Sequence, residues 1–282
     1  MKIITSPKEM QAYVKQAKAE GKTVGFVPTM GTFHEGHLSL MRRAKADNDI
    51  VVTSIFVNPT QFGPKEDYKA YPRDLTSDSK MAEEVGVDVI FAPTARDMYP
   101  NGYATFVDVE RITEKMCGAS RPGHFRGVAT VVAKLFNIVQ AHKAYFGQKD
   151  AQQCVVIKRM AEDLDFDIEI VIFPTVREND GLAMSSRNKY LNEEERKSAL
   201  VLSKSLSIAS KLIKSGEFNP EKIRKKMLDA INAEPLARLD YIAIVDADTL
   251  DDIDTIKENT LIALAVFIGK TRLIDNAVMR FK

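Results

Sequence analysis

A chain of 282 residues with 45% hydrophobic and 28% charged side chains has room for a substantial core, in one large domain or two modest ones. Its 40 Lys+Arg stand against 39 Asp+Glu, 18 against 17 from Arg177 onward and therefore 22 against 22 before it, so neither half has the basic surplus of a nucleic-acid-binding domain. The longest uninterrupted apolar run, residues 261–268, is too short to span a bilayer; Pro7, Lys8 and Glu9 interrupt any signal-peptide core, and the two separated cysteines, Cys117 and Cys154, fit a reducing cytoplasm.

In chain order, the apolar run Thr23-Val24-Gly25-Phe26-Val27 predicts a strand, Pro28-Thr29-Met30-Gly31-Thr32-Phe33-His34-Glu35-Gly36-His37 a tight loop, and residues 38–46 a helix. Gly31 and Gly36 let the backbone approach a ligand, and a helix start presents unpaired N–H groups, so this strand, loop and helix predict a phosphate seat. His34 and His37, three residues apart, would point toward the anion as hydrogen-bond donors, and the positive helix end should keep the His37 ring largely neutral at pH 7. The competing readings are a zinc pair or a simple helix cap; zinc needs further ligands, and only four histidines and two distant cysteines exist. Residues 49–57 predict the next strand, ending at Asn58-Pro59-Thr60-Gln61-Phe62-Gly63. A right-handed βαβ unit would then bring Asn58 and Gln61 to the crevice of His34 and His37, at the carboxyl ends of parallel strands.

Residues 77–85 read as a helix and 87–91 as a strand closed by Pro93, whereas 98–117 are irregular with one candidate strand at 105–109. The basic loop Arg121-Pro122-Gly123-His124-Phe125-Arg126-Gly127 precedes a helix whose Val128, Val131, Val132, Leu135 and Val139 share one face. Residues 143–146 form a strand that ends at Gly147-Gln148-Lys149-Asp150, and a helix follows over 151–164. Asp150 and Gln153 fit a capping box, but a lysine at the positive end of a helix is better understood if Lys149 faces a bound anion. After a strand at 168–173, the polar stretch Val176-Arg177-Glu178-Asn179-Asp180-Gly181 marks a domain boundary, with residues 1–176 on one side and 177–282 on the other. Met184-Ser185-Ser186-Arg187-Asn188 offers two hydroxyls and a guanidinium, which suit a phosphate chain or a solvated loop. Asn192 with Glu195 opens a long amphipathic helix, Asn219-Pro220 opens a second, and strand-like runs at 240–245, 261–267 and 273–279 complete a small α+β domain. Gly269-Lys270-Thr271 is not the end of a P-loop, because Leu264 stands where its first glycine must be.

The histidine loop, Phe56-Val57-Asn58-Pro59-Thr60-Gln61-Phe62, Tyr71-Pro72-Arg73, Gly123-His124-Phe125-Arg126-Gly127, Phe146-Gly147-Gln148-Lys149-Asp150-Ala151-Gln152-Gln153 and Met184-Ser185-Ser186-Arg187-Asn188 together closely resemble the pantothenate synthetases, or pantoate–β-alanine ligases, of the His-x-x-His nucleotidylyltransferase-like superfamily. The resemblance runs nearly end to end and includes Leu273-Ile274-Asp275-Asn276; it departs at Thr32-Phe33, where the family more often has alanine and a bulky apolar residue. It implies an α/β fold: a Rossmann-like parallel-sheet N-terminal domain and a smaller α+β C-terminal domain that closes over ATP, in a cytoplasmic homodimer. The implied reaction joins pantoate and ATP into pantoyl adenylate and pyrophosphate, then lets β-alanine displace AMP to give pantothenate. Carried over by motif, ATP would be held by Met30, Gly31, Thr32, Phe33, His34, Glu35, Gly36 and His37, by Gly147, Gln148, Lys149 and Asp150, and by Met184, Ser185, Ser186 and Arg187, with Val176 touching the adenine through its backbone. Gln61 and Gln153 would hold pantoate, Gln61 also standing near β-alanine, while His34, His37 and Lys149 would carry the catalysis. The family uses Mg2+ with ATP, for which no protein ligand is assigned. Rival readings are a nucleotidylyltransferase that leaves AMP on its product, an aminoacyl-tRNA synthetase, for which the chain lacks a basic domain, and a non-catalytic ATP sensor.

Overall fold

The computed structural model describes residues 1–64 and 66–280. Six strands, β1 (Lys2–Ile4), β2 (Val24–Thr29), β3 (Ile50–Ile55), β4 (Val89–Phe91), β5 (Lys143–Gly147) and β6 (Glu169–Phe173), form one sheet in the order β1-β4-β3-β2-β5-β6 with every pairing parallel. Parallel strands need crossovers, and the helices that supply them cover both faces, which is why β3 reads as a run of β-branched residues interrupted at Ser54 alone. The two-residue period sorts the side chains. Val24, Phe26, Ile50 and Val52 meet α1 (Pro7–Ala19), α6 (His124–Val139) and α7 (Ala151–Asp163), while Val27 and Val51 meet α2 (Glu35–Asp47) and α3 (Leu75–Glu84). Two short helices, α4 (Ala95–Met98) and α5 (Met116–Ser120), punctuate the segment before α6.

The rest of the chain builds a second core. Strands β7 (Ala237–Asp246), β8 (Thr260–Ile268) and β9 (Thr271–Met279) pair antiparallel in that order, with α8 (Glu193–Ala199), α9 (Val201–Lys214) and α10 (Pro220–Asn232) packed against them through Ala199, Leu202, Leu206, Ile223 and Met227. A small apolar cluster of Ala151, Val245, Leu250, Leu261 and Ala263 seats this unit on α7.

Several sequence expectations need correction. Residues 105–109 are not a strand: the Val107 N–H donates to the Thr130 hydroxyl on α6 at 2.9 Å, so the segment finds its partner on a helix side chain. The basic loop ends early, because α6 already begins at His124 after Gly123 in a left-handed conformation (φ 80°). The long helix opened by Asn192 divides at Leu200, where an N–H bond to the Lys197 carbonyl three residues back tightens the turn. Strand β1 and helix α1 are additions to the sequence reading, although Ser6 before Pro7, with its oxygen accepting from the Glu9 N–H, is a helix-start signal.

Candidate active site

Strand β2 lies between β3 and β5, where the chain order of the sheet reverses, and such a switch point opens a crevice at the strands' carboxyl ends. The loop leaving β2 turns at Gly31 (φ 85°) and Thr32 (φ 57°), and a side chain on Gly31 would lie 2.8 Å from the Asp78 carboxylate. Asp78, on α3 and 2% exposed, accepts the N–H groups of Thr32 and Phe33, each at 2.7 Å. Burial raises its pKa against the opposing pull of those two bonds. Two amides of the loop are thus bonded to the protein's own carboxylate.

The helix start is occupied in the same way. His34 caps α2: its Nδ1 accepts the Gly36 N–H at 3.2 Å and its carbonyl accepts from His37 at 2.8 Å and Leu38 at 3.1 Å. With Nδ1 an acceptor, neutral His34 carries its proton on Nε2. A Cβ on Gly36 would fall 2.9 Å from that ring, so glycine is what allows the cap. The His34 and His37 rings lie 4.1 Å apart at 33°. Burial, aided by Lys149, pushes His34 down to about 4; burial first, then His34 and Lys149, holds His37 well below the ordinary 6.5. His37 Nδ1 is buried and has no partner among the described residues. Two neutral rings with open donor capacity therefore line the crevice, while the Gly36, His37 and Leu38 amides of the helix start are already bonded.

Opposite them, the turn after β5 carries Lys149, whose Nζ lies 3.5 Å from Asp150. The capping box expected of Asp150 and Gln153 does not form, for Asp150 makes no side-chain cap bond. Gln61 accepts from Asn58 Nδ2 at 3.0 Å and directs Nε2 to the Met30 sulfur at 3.2 Å, while its carbonyl accepts from His124 Nδ1 at 2.9 Å. Behind it, Arg121 bonds His124 Nε2 at 3.0 Å and pairs with Glu66 at 2.6 Å, and burial with this guanidinium pushes His124 down to about 4. Arg187 pairs with Asp67 at 2.9 Å, Ser186 meets the Tyr71 hydroxyl at 3.3 Å, and the Val176 carbonyl accepts the Met184 N–H at 3.0 Å.

A cavity of about 240 Å³ joins these groups: Met30, His34, Gly36, His37 and Gln61 on one wall, Gly147, Lys149, Asp150 and Gln153 on the next, and Val176, Met184, Ser185, Ser186 and Arg187 across from them. Gly31, Thr32, Phe33, Glu35 and Gln148 do not line it; Glu35 is exposed and paired with Arg42, and Gln148 Nε2 donates to Asn276. Sequence reasoning missed Arg121, His124 and Tyr71 as wall residues, and the α6 residues Val128, Val131, Val132 and Leu135, whose shared face serves the cavity as well as the core. Lys149, Asp150, Gln153, Ser185 and Arg187 also border a wider cleft of about 1150 Å³ between the two units.

The family described as pantoate-beta-alanine ligase matches residues 2–278. The chain is 60% identical over 279 residues to the pantothenate synthetase of Heliobacterium modesticaldum, with 99% of each chain covered. Its fold is similar to the solved pantothenate synthetase of Thermus thermophilus (TM-score 0.95, 46% identity, 100% of both chains covered). It is also similar to a pantoate-beta-alanine ligase from Francisella tularensis crystallised with beta-gamma ATP and beta-alanine (TM-score 0.80, 36% identity, 99% and 97% covered).

Proposed function

The chain belongs to the pantoate-beta-alanine ligase family, and from that premise we propose how its residues divide the work of making pantothenate. The protein condenses pantoate with β-alanine in a reaction driven by ATP. In the first step a pantoate carboxylate oxygen attacks the α-phosphorus, forming one P–O bond as the bond to pyrophosphate breaks. In the second the β-alanine nitrogen attacks the acyl carbon, and AMP leaves as the amine loses its proton. Negative charge moves among phosphate oxygens in step one, so the chain must supply positioned donors and needs no covalent nucleophile.

His34 and His37 fit that need as neutral donors on the α-phosphate, because their depressed pKa values keep them from acting as cations. Lys149 supplies the mobile positive charge, with Ser185, Ser186 and Arg187 closing on the phosphate chain from the far wall. Pantoate lies between Gln61 and Gln153, with its methyls against Val128, Val131, Val132 and Leu135; Gln61 also borders the β-alanine position. Val176 meets the adenine by its backbone, its N–H being unpaired among the described residues. The roles assigned by resemblance to Gly31, Thr32, Phe33 and Glu35 are supportive: they shape the turn that presents Met30 and the histidines.

Among the described residues no three His, Cys, Asp or Glu side chains converge as a metal cage. Mg2+ would enter with the nucleotide and supply neutralisation of phosphate charge, and Asp150, beside Lys149 in the cavity wall, is the carboxylate that would face it. We further propose that residues 1–176 and 177–282 act as two domains, the second closing over ATP, and that the enzyme works as a cytoplasmic homodimer, as the family resemblance implies. Sedimentation at micromolar concentration tests the dimer.

The observation that carries the reading is the single cavity that gathers two neutral histidines, a lysine and two glutamines at the sheet's switch point. Exchange of labelled pyrophosphate into ATP tests it: exchange should require pantoate and no β-alanine. Exchange that is indifferent to pantoate, or AMP retained on the product, would overturn the assignment.

A further inference from the structure

Asp275 and Asn276 sit in the middle of β9, 2% and 4% exposed, and have no place in the chemistry above. A buried carboxylate and carboxamide are costly unless bonded, so their partners indicate what they are for. Asp275 takes the Arg177 guanidinium in a two-pronged pair, 2.7 Å and 2.9 Å, and its Oδ1 also accepts the Asn276 N–H at 2.8 Å. Asn276 Nδ2 donates to the main-chain carbonyls of Gln148 and Lys149, both at 2.9 Å, and its Oδ1 accepts the Gln148 side-chain amide at 3.2 Å. Both donors and the acceptor of one side chain are thus committed to a single three-residue turn.

That turn, Gln148–Asp150, has no side-chain cap of its own, and the lysine it carries has a long flexible stem. Its two successive carbonyls are held from the other unit. We propose that Asn276 is a positioning residue for Lys149: it fixes the backbone from which the ammonium reaches the phosphates, while Asp275, through Arg177, ties the same strand to the backbone beside Val176. The inference rests on Lys149 acting on the phosphates as proposed above. It gives β9 a part in adenylation although neither residue reaches the reacting atoms.

Two substitutions, Asn276→Asp and the smaller, uncharged Asn276→Ser, remove the paired amide donors, the shorter serine hydroxyl offering at most one. Each should slow pantoate-dependent pyrophosphate exchange by roughly 10²-fold, the scale set by a displacement of about 1 Å in a positioned group, through kcat rather than the pantoate KM. With preformed pantoyl adenylate supplied, the attack of β-alanine should stay within about threefold of the parent enzyme. In a Lys149→Ala background the same substitutions should cost less than about threefold, since residues acting as a unit are not additive. Equal losses in both half-reactions, or a full second loss in the Lys149→Ala background, would assign Asn276 to general stability and overturn the inference; so would failure of both variants to fold, read by circular dichroism. A Lys149→Ala enzyme with undiminished exchange would overturn the lysine's role and this inference together, whereas a large Lys149 effect with none at Asn276 would overturn the inference alone.

Discussion

His37 Nδ1 is buried without a partner among the described residues, in a ring held neutral by burial, then by His34 and Lys149. If His37 donates to the α-phosphate as charge builds there, His37→Ala should lower single-turnover adenylation by about 10²–10³, the usual loss for one oxyanion donor. An unchanged rate at saturating ATP removes it from the chemistry. The pH dependence follows from the same burial. Because the folded pKa of His34 and of His124 is pushed down to about 4, below the ordinary 6.5, the unfolded chain binds protons first as pH falls. Their contribution to stability is present above pH 6.5 and is lost progressively toward about pH 4. The melting temperature should therefore fall across that window, and adenylation should show no histidine titration between pH 6.5 and 8. Gln153 presents a third test, since no cap bond forms at Asp150 beside it. Gln153→Ala should raise the pantoate KM roughly tenfold with ATP binding nearly intact, and a lowered melting temperature with unchanged KM would return it to a structural role. The histidine pair was legible from its spacing, but the burial that first lowers both pKa values was not, because it comes from distant segments and has no local sequence signal.

Among the elements, α6 meets the turn at Pro59–Gln61 through Gly127, where a Cβ would stand 2.4 Å from the Thr60 carbonyl oxygen and 2.7 Å from the Gln61 Cα. Both obstacles are backbone, so the helix or the turn must move. Gly127→Ala should cost about 1–3 kcal/mol in urea denaturation, as overpacking does, and raise the pantoate KM by displacing Gln61. A variant that loses stability with an unchanged KM would show the turn to be independent of the helix. The elements that were readable are those with a full period and a marked end: β2, α2 and β3 with their loops, and α10 with Asn219-Pro220. Those that were not are set by remote partners. Strand β1 is three residues long, too short for any period, and is defined by its pairing with β4. Residues around Val107 look strand-like but are claimed by Thr130, and the helix over 193–214 breaks at a main-chain bond that no side-chain pattern announces.

At the scale of the molecule, two cores meet across a small apolar cluster, the half-buried pair Arg187–Asp67, the Asn276 bonds to the turn of Gln148 and Lys149, and the exposed pair Lys115–Asp251, which contributes little. The wider cleft beside the histidine cavity runs between the same two units, with Lys149 and Gln153 on one side and Asp275 and Asn276 on the other. A ligand bridging it stabilises both. At ATP about 100 times its dissociation constant the gain is about 2.7 kcal/mol, or roughly 5 °C in melting temperature for a chain of this size. Scanning calorimetry should show that shift in one transition; a shift confined to the first of two transitions would mean that the C-terminal unit does not share the nucleotide. The sheet order carries one more consequence, in time rather than in space. Lys2 lies opposite Val89, and Ile4 opposite Phe91. A ribosome adding about 5–20 residues per second leaves β1 waiting roughly 4–17 s for its partner strand, whereas β8 and β9, joined at Gly269 and Lys270, need only about 1–10 μs to zip once both are free. Until β4 has been made, the main-chain N–H and C=O groups that β1 gives to that pairing have no partner strand and stay with water.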